Sequence, residues 1–169
     1  MSAWEAASKS DEWYTPKYIF DALGCEFDLD VAAPPFPQRI HVPASARLCS
    51  QSLETSWRGC FVWMNPPFGG RNGIVPWLDK FFDHGNGIAL MPDRTSAPWF
   101  QDAARKASAI LFISPKVKFE RPDGTLGKSP GCGTVLMSAG VRGRACLMRA
   151  ESLGFVSLPN VTAYAKVAA

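Results

Sequence analysis

Apolar residues along this chain fall into short unbroken runs separated by helical stripes, and the order of the two predicts a layered α/β domain. Phe61-Val62-Trp63-Met64, Gly87-Ile88-Ala89-Leu90-Met91 and the run from Ala109 to Ser114 read as short apolar strands. Between them, Trp77, Leu78, Phe81 and Phe82 recur at i, i+1, i+4, i+5 on a predicted helix that ends near Gly85, and residues 98 to 107 predict a second helix. Strand, helix, strand, helix, strand at this spacing implies a mostly parallel central sheet flanked by helical crossovers.

The flanking segments extend the pattern. Pro16 suits a first helical turn, and Ile19, Phe20 and Leu23 keep helical spacing up to Gly24, a natural stop. Residues 25 to 31 read as a strand that carries Asp28 and Asp30 near its end, on one face if alternation is regular. From 33 to 57, Pro34, Pro35, Pro37 and Pro43 predict a long loop without regular structure, lying over a pocket. Further on come a polar loop over 120 to 131, a strand over 134 to 138 and a final helix over 145 to 153. Residues 1 to 10 read as a loose start, 11 to 160 as one domain and 161 to 169 as a tail; no internal repeat is visible.

Composition narrows the classes. A chain of 169 residues with 47% apolar content fits one domain with a core of its own. Five cysteines without a C-x-x-C pair, and only two histidines, argue against a disulfide framework or a zinc site and for buried reduced thiols. No metal is expected. His41 and His84 have no partner pattern, so surface or loop positions are expected for both. The absence of an 18-residue apolar run or of a basic-then-apolar start predicts a soluble, cytoplasmic protein without membrane contact. The net charge of +3 is mild, but residues 101 to 150 hold nine Lys and Arg against three acids, either a solvated basic face or a phosphate-contacting surface.

The chemistry concentrates at Asn65-Pro66-Pro67-Phe68, where a buried strand ends in a polar side chain, two stiff prolines and an aromatic ring. A ring amino group is a poor nucleophile because its lone pair is delocalised. The Asn65 side-chain oxygen and the Pro66 carbonyl are candidate acceptors that pull on its hydrogens and return electron density to nitrogen. The prolines lock φ and offer no N–H to divert those acceptors, and Phe68 is a candidate to stack on the substrate ring.

This motif resembles that of S-adenosylmethionine-dependent amino-methyltransferases. Asp11-Glu12-Trp13-Tyr14-Thr15-Pro16, the run Phe27 to Ala33, Trp57, Pro92-Asp93-Arg94-Thr95 and Trp99-Phe100 then follow an order similar to that of the small phage-type DNA adenine methyltransferases, over roughly residues 11 to 140. The resemblance implies a single Rossmann-like methyltransferase domain, S-adenosylmethionine as cofactor and the N6 amino group of adenine in DNA as acceptor. It implies cofactor contacts from Trp13, Tyr14, Thr15 and Pro16, which fold over the cofactor in related enzymes, and from Asp28 or Asp30, whose carboxylates suit ribose hydroxyls or an α-amino group. Arg94 and Thr95 match substrate-side positions, although Thr95 or Ser96 also suits a helix N-cap. Lys116, Lys118 and Arg121 belong to the basic window and are candidate phosphate contacts. One departure stands out: Ala32-Ala33-Pro34-Pro35 replaces the glycine-rich turn usual after the first strand. The same four-residue motif also serves methylation of cytosine N4, RNA adenine and protein glutamine, and a nucleic-acid-binding relative without activity is a further alternative.

Overall fold

A seven-stranded sheet in the order β2-β1-β3-β4-β6-β5-β7 forms the middle layer of the protein. In this computed structural model the described residues are 13–35, 41–67 and 73–159. Along the chain the elements are α1 (Lys17–Leu23), β1 (Phe27–Asp30), β2 (Ala44–Arg47), β3 (Val62–Met64), α2 (Val75–His84), β4 (Gly87–Pro92), α3 (Pro98–Lys106), β5 (Ala109–Ile113), β6 (Thr134–Ala139), α4 (Gly140–Arg149), a 3₁₀ turn (Glu151–Leu153) and β7 (Gly154–Ser157).

The sheet is mixed. Strands β2, β1, β3 and β4 pair in parallel, while β6 pairs antiparallel with both β4 and β5 and β7 pairs antiparallel with β5. Strands β1 to β5 therefore share one direction, and β6 and β7 oppose it. The reversal follows from connectivity: β5 and β6 are joined by a long excursion over 114–133 rather than by a crossover helix, and antiparallel neighbours need no such helix. All six residues of β4 and all six of β6 are buried, which is why these runs are apolar throughout rather than alternating.

Helices cover both faces. On one, Leu78 and Phe81 of α2 and Phe100 and Ala103 of α3 pack with Val62, Met64, Met91 and Met137. On the other, Ile19, Phe20 and Leu23 of α1 join Cys146 and Leu147 of α4 around Phe27, Phe61, Trp63 and Leu111. The layers approach closely where α4 crosses the sheet: a Cβ on Gly143 would lie 2.5 Å from the Gly87 carbonyl oxygen, so the helix backbone touches the strand directly. Of the five cysteines only Cys146 is fully buried, and all are free thiols.

Two expectations need correction, and one further strand was not expected. The turn-rich stretch 33–57 contains β2, whose Ala-Ser-Ala-Arg sequence carries too little apolar signal to stand out and gains its order from pairing with β1. The last helix starts at Gly140, five residues earlier than expected, and ends at Arg149; its small, polar first turn hides it from a hydrophobic pattern. Strand β7, with Phe155 exposed, forms by pairing with β5 at the sheet edge.

The segment 51–57 is built around Lys80 of α2. The Lys80 ammonium donates to the carbonyls of Ser52, Leu53 and Thr55 at 3.1, 2.7 and 2.6 Å, and it lies 4.6 Å from the centre of the buried Trp57 ring. Trp57 in turn donates its indole N–H to the Ser52 carbonyl at 3.0 Å. A cation here satisfies three carbonyls that have no strand or helix to pair with. Lys80→Met keeps the aliphatic stem and removes the donors, and should lower the free energy of unfolding by about 2 kcal/mol in urea titration. A loss under about 0.5 kcal/mol would show that water replaces the ammonium without cost.

Candidate active site

Chain order reverses between β1 and β3: β2 lies on one side of β1 and β3 with β4 on the other. In an open α/β sheet the carboxyl ends of the strands at such a switch diverge and leave a crevice. Asp30 is the last residue of β1 and Asn65 follows the last residue of β3, so the two polar positions flank that crevice. Both line a narrow recess of about 60 Å³, together with Trp13, Thr15, His41, Arg47 and Trp63. The recess adjoins a much larger cleft of about 960 Å³, and Trp13, Tyr14, Ala32, Ala33, Pro34 and Asn65 line both. That size accommodates a cofactor-sized ligand with room for a second group.

Asp30 is only 5% exposed, and its Oδ1 accepts the Ala32 amide at 3.1 Å. Burial raises its pKa to about 6, against the smaller opposing effects of the Ala32 amide and the Arg47 charge. A carboxylate held this far from water is costly unless it is paired.

Asp28 does not join it. The amides of Asp28 and Leu29 both donate to the Phe61 carbonyl, at 2.9 and 3.4 Å, a bulge-like doubling that breaks the alternation on which a shared face depended. Phe27 and Leu29 accordingly pack into opposite layers. The Asp28 carboxylate accepts the Phe61 amide at 2.7 Å and lies 4.0 Å from Arg142, and it lines neither cavity.

Asn65 is held by the N-terminal segment. Its Nδ2 donates to the Thr15 hydroxyl at 3.2 Å, and Thr15 is buried just before α1. Pro66 is buried and Pro67 exposed, and both line the large cleft; Phe68 lies outside the described residues. Tyr14 is buried and Trp13 half-exposed, both lining the recess, whereas Pro16 is the buried N-cap position of α1 and lines neither cavity.

The excursion 114–133 closes over this segment. Tyr14 and Glu120 exchange two backbone hydrogen bonds at 2.8 and 3.0 Å, and the Glu120 carboxylate pairs with His41 at 2.8 Å, so His41 has a partner that its sequence neighbourhood does not reveal. The chain then turns back through bonds from the Arg121 amide to the Thr125 carbonyl and from the Gly127 amide to the Phe119 carbonyl, making a hairpin. Trp13 packs against it: a Cβ on Gly127 would lie 2.5 Å from the indole, and the Arg121 guanidinium sits 5.5 Å from the ring centre.

The basic window divides by position. Arg121 and Lys128 line the large cleft, and Lys118 is exposed on the same excursion. Lys116 instead donates to the carbonyls of Pro130 and Gly131 at 3.3 and 3.2 Å and holds that turn. Arg142 donates to the Glu26 carbonyl and covers the Phe61 ring, and Arg149 donates to the Leu23 carbonyl, so both serve the packing of α4. Pro92 lines the cleft but Arg94 and Thr95 do not. They form the turn before α3, whose N-cap position is Ala97 rather than Thr95 or Ser96. Arg47 enters the recess because β2 pairs with β1 and sets it opposite Asp30, and His41, expected at the surface or in a loop, lines the same recess while paired with Glu120.

Among the described residues no cluster of His, Cys, Asp or Glu could hold a metal ion, and no helix is long and apolar enough to cross a membrane. A mixed sheet flanked by helices, with polar positions at the β1–β3 switch, defines a Rossmann-like α/β domain. The chain belongs to the DNA N-6-adenine-methyltransferase (Dam) family, whose model matches residues 4–148. It is similar to a DNA N-6-adenine-methyltransferase of Haemophilus phage HP1, 24% identical over 63% of this chain and 64% of that one. It is also similar to one of Escherichia phage T1, 30% identical over 61% of this chain and 44% of the relative. The matched part thus spans less than two thirds of either relative's length. No solved structure matches significantly.

The raised pKa of Asp30 has a consequence for stability. Because the folded value lies above the ordinary one, the native state binds more protons between about pH 4 and pH 6, and stability falls as pH rises through that window. Above it the full penalty applies, on the order of 3 kcal/mol. Asp30→Asn should therefore raise the unfolding midpoint at pH 8 and lose that advantage at pH 4. Thermal melts across that range check it, and a variant less stable at pH 8 would show that the carboxylate is already compensated.

Proposed function

We propose that this protein transfers a methyl group from S-adenosylmethionine to the N6 amino group of adenine in DNA. The observation that carries the reading is the Asn65 carboxamide at the β1–β3 switch, anchored through Nδ2 to Thr15 and thereby offering Oδ1 on its other side. The donor set suits the cofactor: a buried carboxylate at Asp30 for a hydroxyl or ammonium, and the Trp13 face for a sulfonium. When bound, S-adenosylmethionine supplies a methyl group on positively charged sulfur.

The protein's own residues then do the rest. Asn65 Oδ1 and the Pro66 carbonyl accept the two amino hydrogens, returning density to nitrogen and holding its lone pair toward the cofactor side. As nitrogen becomes cationic on methylation, the same two acceptors gain strength, and one of its protons passes to solvent. Reaching an adenine inside a duplex requires extrusion of the base, and the 960 Å³ cleft beside Asn65 has room for it. Arg121, Lys128 and Lys118 stand along the hairpin side and suit the phosphate backbone. The names of the phage relatives favour adenine in DNA over the other planar amino groups.

Asn65→Ala should reduce methyl transfer at least a hundredfold, about 3 kcal/mol of barrier, while S-adenosylmethionine affinity in calorimetry changes little. Nucleoside analysis of labelled DNA after reaction should yield N6-methyladenine. A variant with half the wild-type rate would remove Asn65 from the chemistry, and label found only in RNA or protein would overturn the substrate.

DNA affinity should fall with salt, log K losing about 0.9 per tenfold salt for each phosphate neutralised. Joint replacement of Lys118, Arg121 and Lys128 by Ala should flatten that slope by up to about three contacts' worth, whereas Lys116→Ala leaves it unchanged. Fluorescence anisotropy over a salt series distinguishes the two, and an unaltered slope in the triple variant would place the phosphates elsewhere.

A further inference from the structure

The geometry points to Thr15 as the positioning residue for Asn65: its hydroxyl accepts the carboxamide N–H₂ and so determines that the oxygen, not the nitrogen, faces the substrate amino group. This rests on Asn65 acting as proposed above. A carboxamide is nearly symmetric in shape but opposite in chemistry at its two ends. Turned the wrong way, Asn65 would present a donor to a donor, and the amino group would lose one of the two acceptors that activate it. The Asn65 ring-side neighbours do not settle the choice, because Pro66 and Pro67 have no N–H to donate to Oδ1.

Thr15 is placed to settle it. It is 4% exposed, and its Oγ1 lies 3.2 Å from Asn65 Nδ2 across fifty residues of sequence. The position is rigid because Tyr14 beside it is pinned by the two backbone bonds to Glu120, and α1 begins two residues later with Ile19 and Phe20 buried. A hydroxyl that accepts from Asn65 keeps its own hydrogen for a second partner, and Thr15 lines the recess beside Asp30. A ligand acceptor in that recess would take this hydrogen, leaving the hydroxyl only its acceptor side for Asn65. Filling of the cofactor recess thereby orients the catalytic amide.

The test compares Thr15→Val, of equal shape without the hydroxyl, and Thr15→Ser, which restores it. Single-turnover methylation should slow at least tenfold in Thr15→Val and stay slow with cofactor and DNA saturating, so that a weaker S-adenosylmethionine affinity does not account for the loss, and Thr15→Ser should keep more than half the wild-type rate. In protein with ¹⁵N-labelled asparagine, the side-chain amide signal absent from Asn65→Asp should be protected from exchange in wild type and Thr15→Ser and unprotected in Thr15→Val. A wild-type rate in Thr15→Val, a loss carried wholly by cofactor affinity, or an unprotected Asn65 amide in the wild-type protein would each overturn the proposal. The amide measurement stands even if Thr15→Val fails to fold. Asn65→Ala run alongside separates the two ideas: if it is active, the role of Asn65 itself falls, and if it is inactive while Thr15→Val is active, only the Thr15 proposal falls.

Discussion

The parallel pairing of β1 with β3 is the constraint on which the site depends. It joins the two strands at Leu29–Val62 and Asp30–Trp63, and with β2 on one side and β4 on the other, the chain leaves this pair in opposite directions. The crevice that results is polar for a simple reason: backbone and side chains at strand ends must find partners that the sheet no longer supplies. Asp30 and Asn65 fill those two positions, and the rest of the molecule holds the pair in register. Trp63 packs beneath them, edge-on against Phe20 at 4.8 Å and tilted against Phe27 at 5.5 Å, so α1, β1 and β3 share one aromatic contact under the site.

The walls are made differently from the floor. Strands and helices supply the floor, whereas the segments 13–15, 41–57 and 114–133 supply the walls and have few apolar anchors of their own. Lys80 ties down 51–57 and Lys116 ties down 130–131 by donating to several carbonyls each, and Glu120 links Tyr14 through two backbone bonds and His41 through its carboxylate. Such ties satisfy backbone groups that would otherwise be left unpaired against the core.

Charge is distributed unevenly between the recess and the larger cleft. The recess holds a buried carboxylate with Arg47 near it, and Arg121 and Lys128 line only the larger cleft. Much of the positive charge of the 101–150 stretch is used inside the fold or in local pairs, such as Arg105 with Asp102 and Lys106 with Asp79. Net charge over a window therefore overstates the surface offered to phosphates.

Much of this was legible from the residues alone. Unbroken apolar runs at Val62–Met64 and Gly87–Pro92 identify strands covered on both faces because burial there is two-sided, and the Asn65-Pro66-Pro67 corner is legible because prolines restrict the backbone locally. The stripe containing Leu78 and Phe81 marks α2 for the same reason: its signal is contained in neighbouring residues. What the sequence could not reveal depends on long-range pairing. Strand β2 takes its order from β1, the antiparallel return of β6 depends on how the 114–133 excursion packs, and the doubling at Asp28 and Leu29 removes Asp28 from the crevice by one shift in register. The contact between Thr15 and Asn65 is of that kind too, since fifty residues separate them and only the closure of the sheet and α1 brings hydroxyl to amide. Local chemistry singled out the Asn65-Pro66-Pro67 corner; tertiary structure decided which of its neighbours face it.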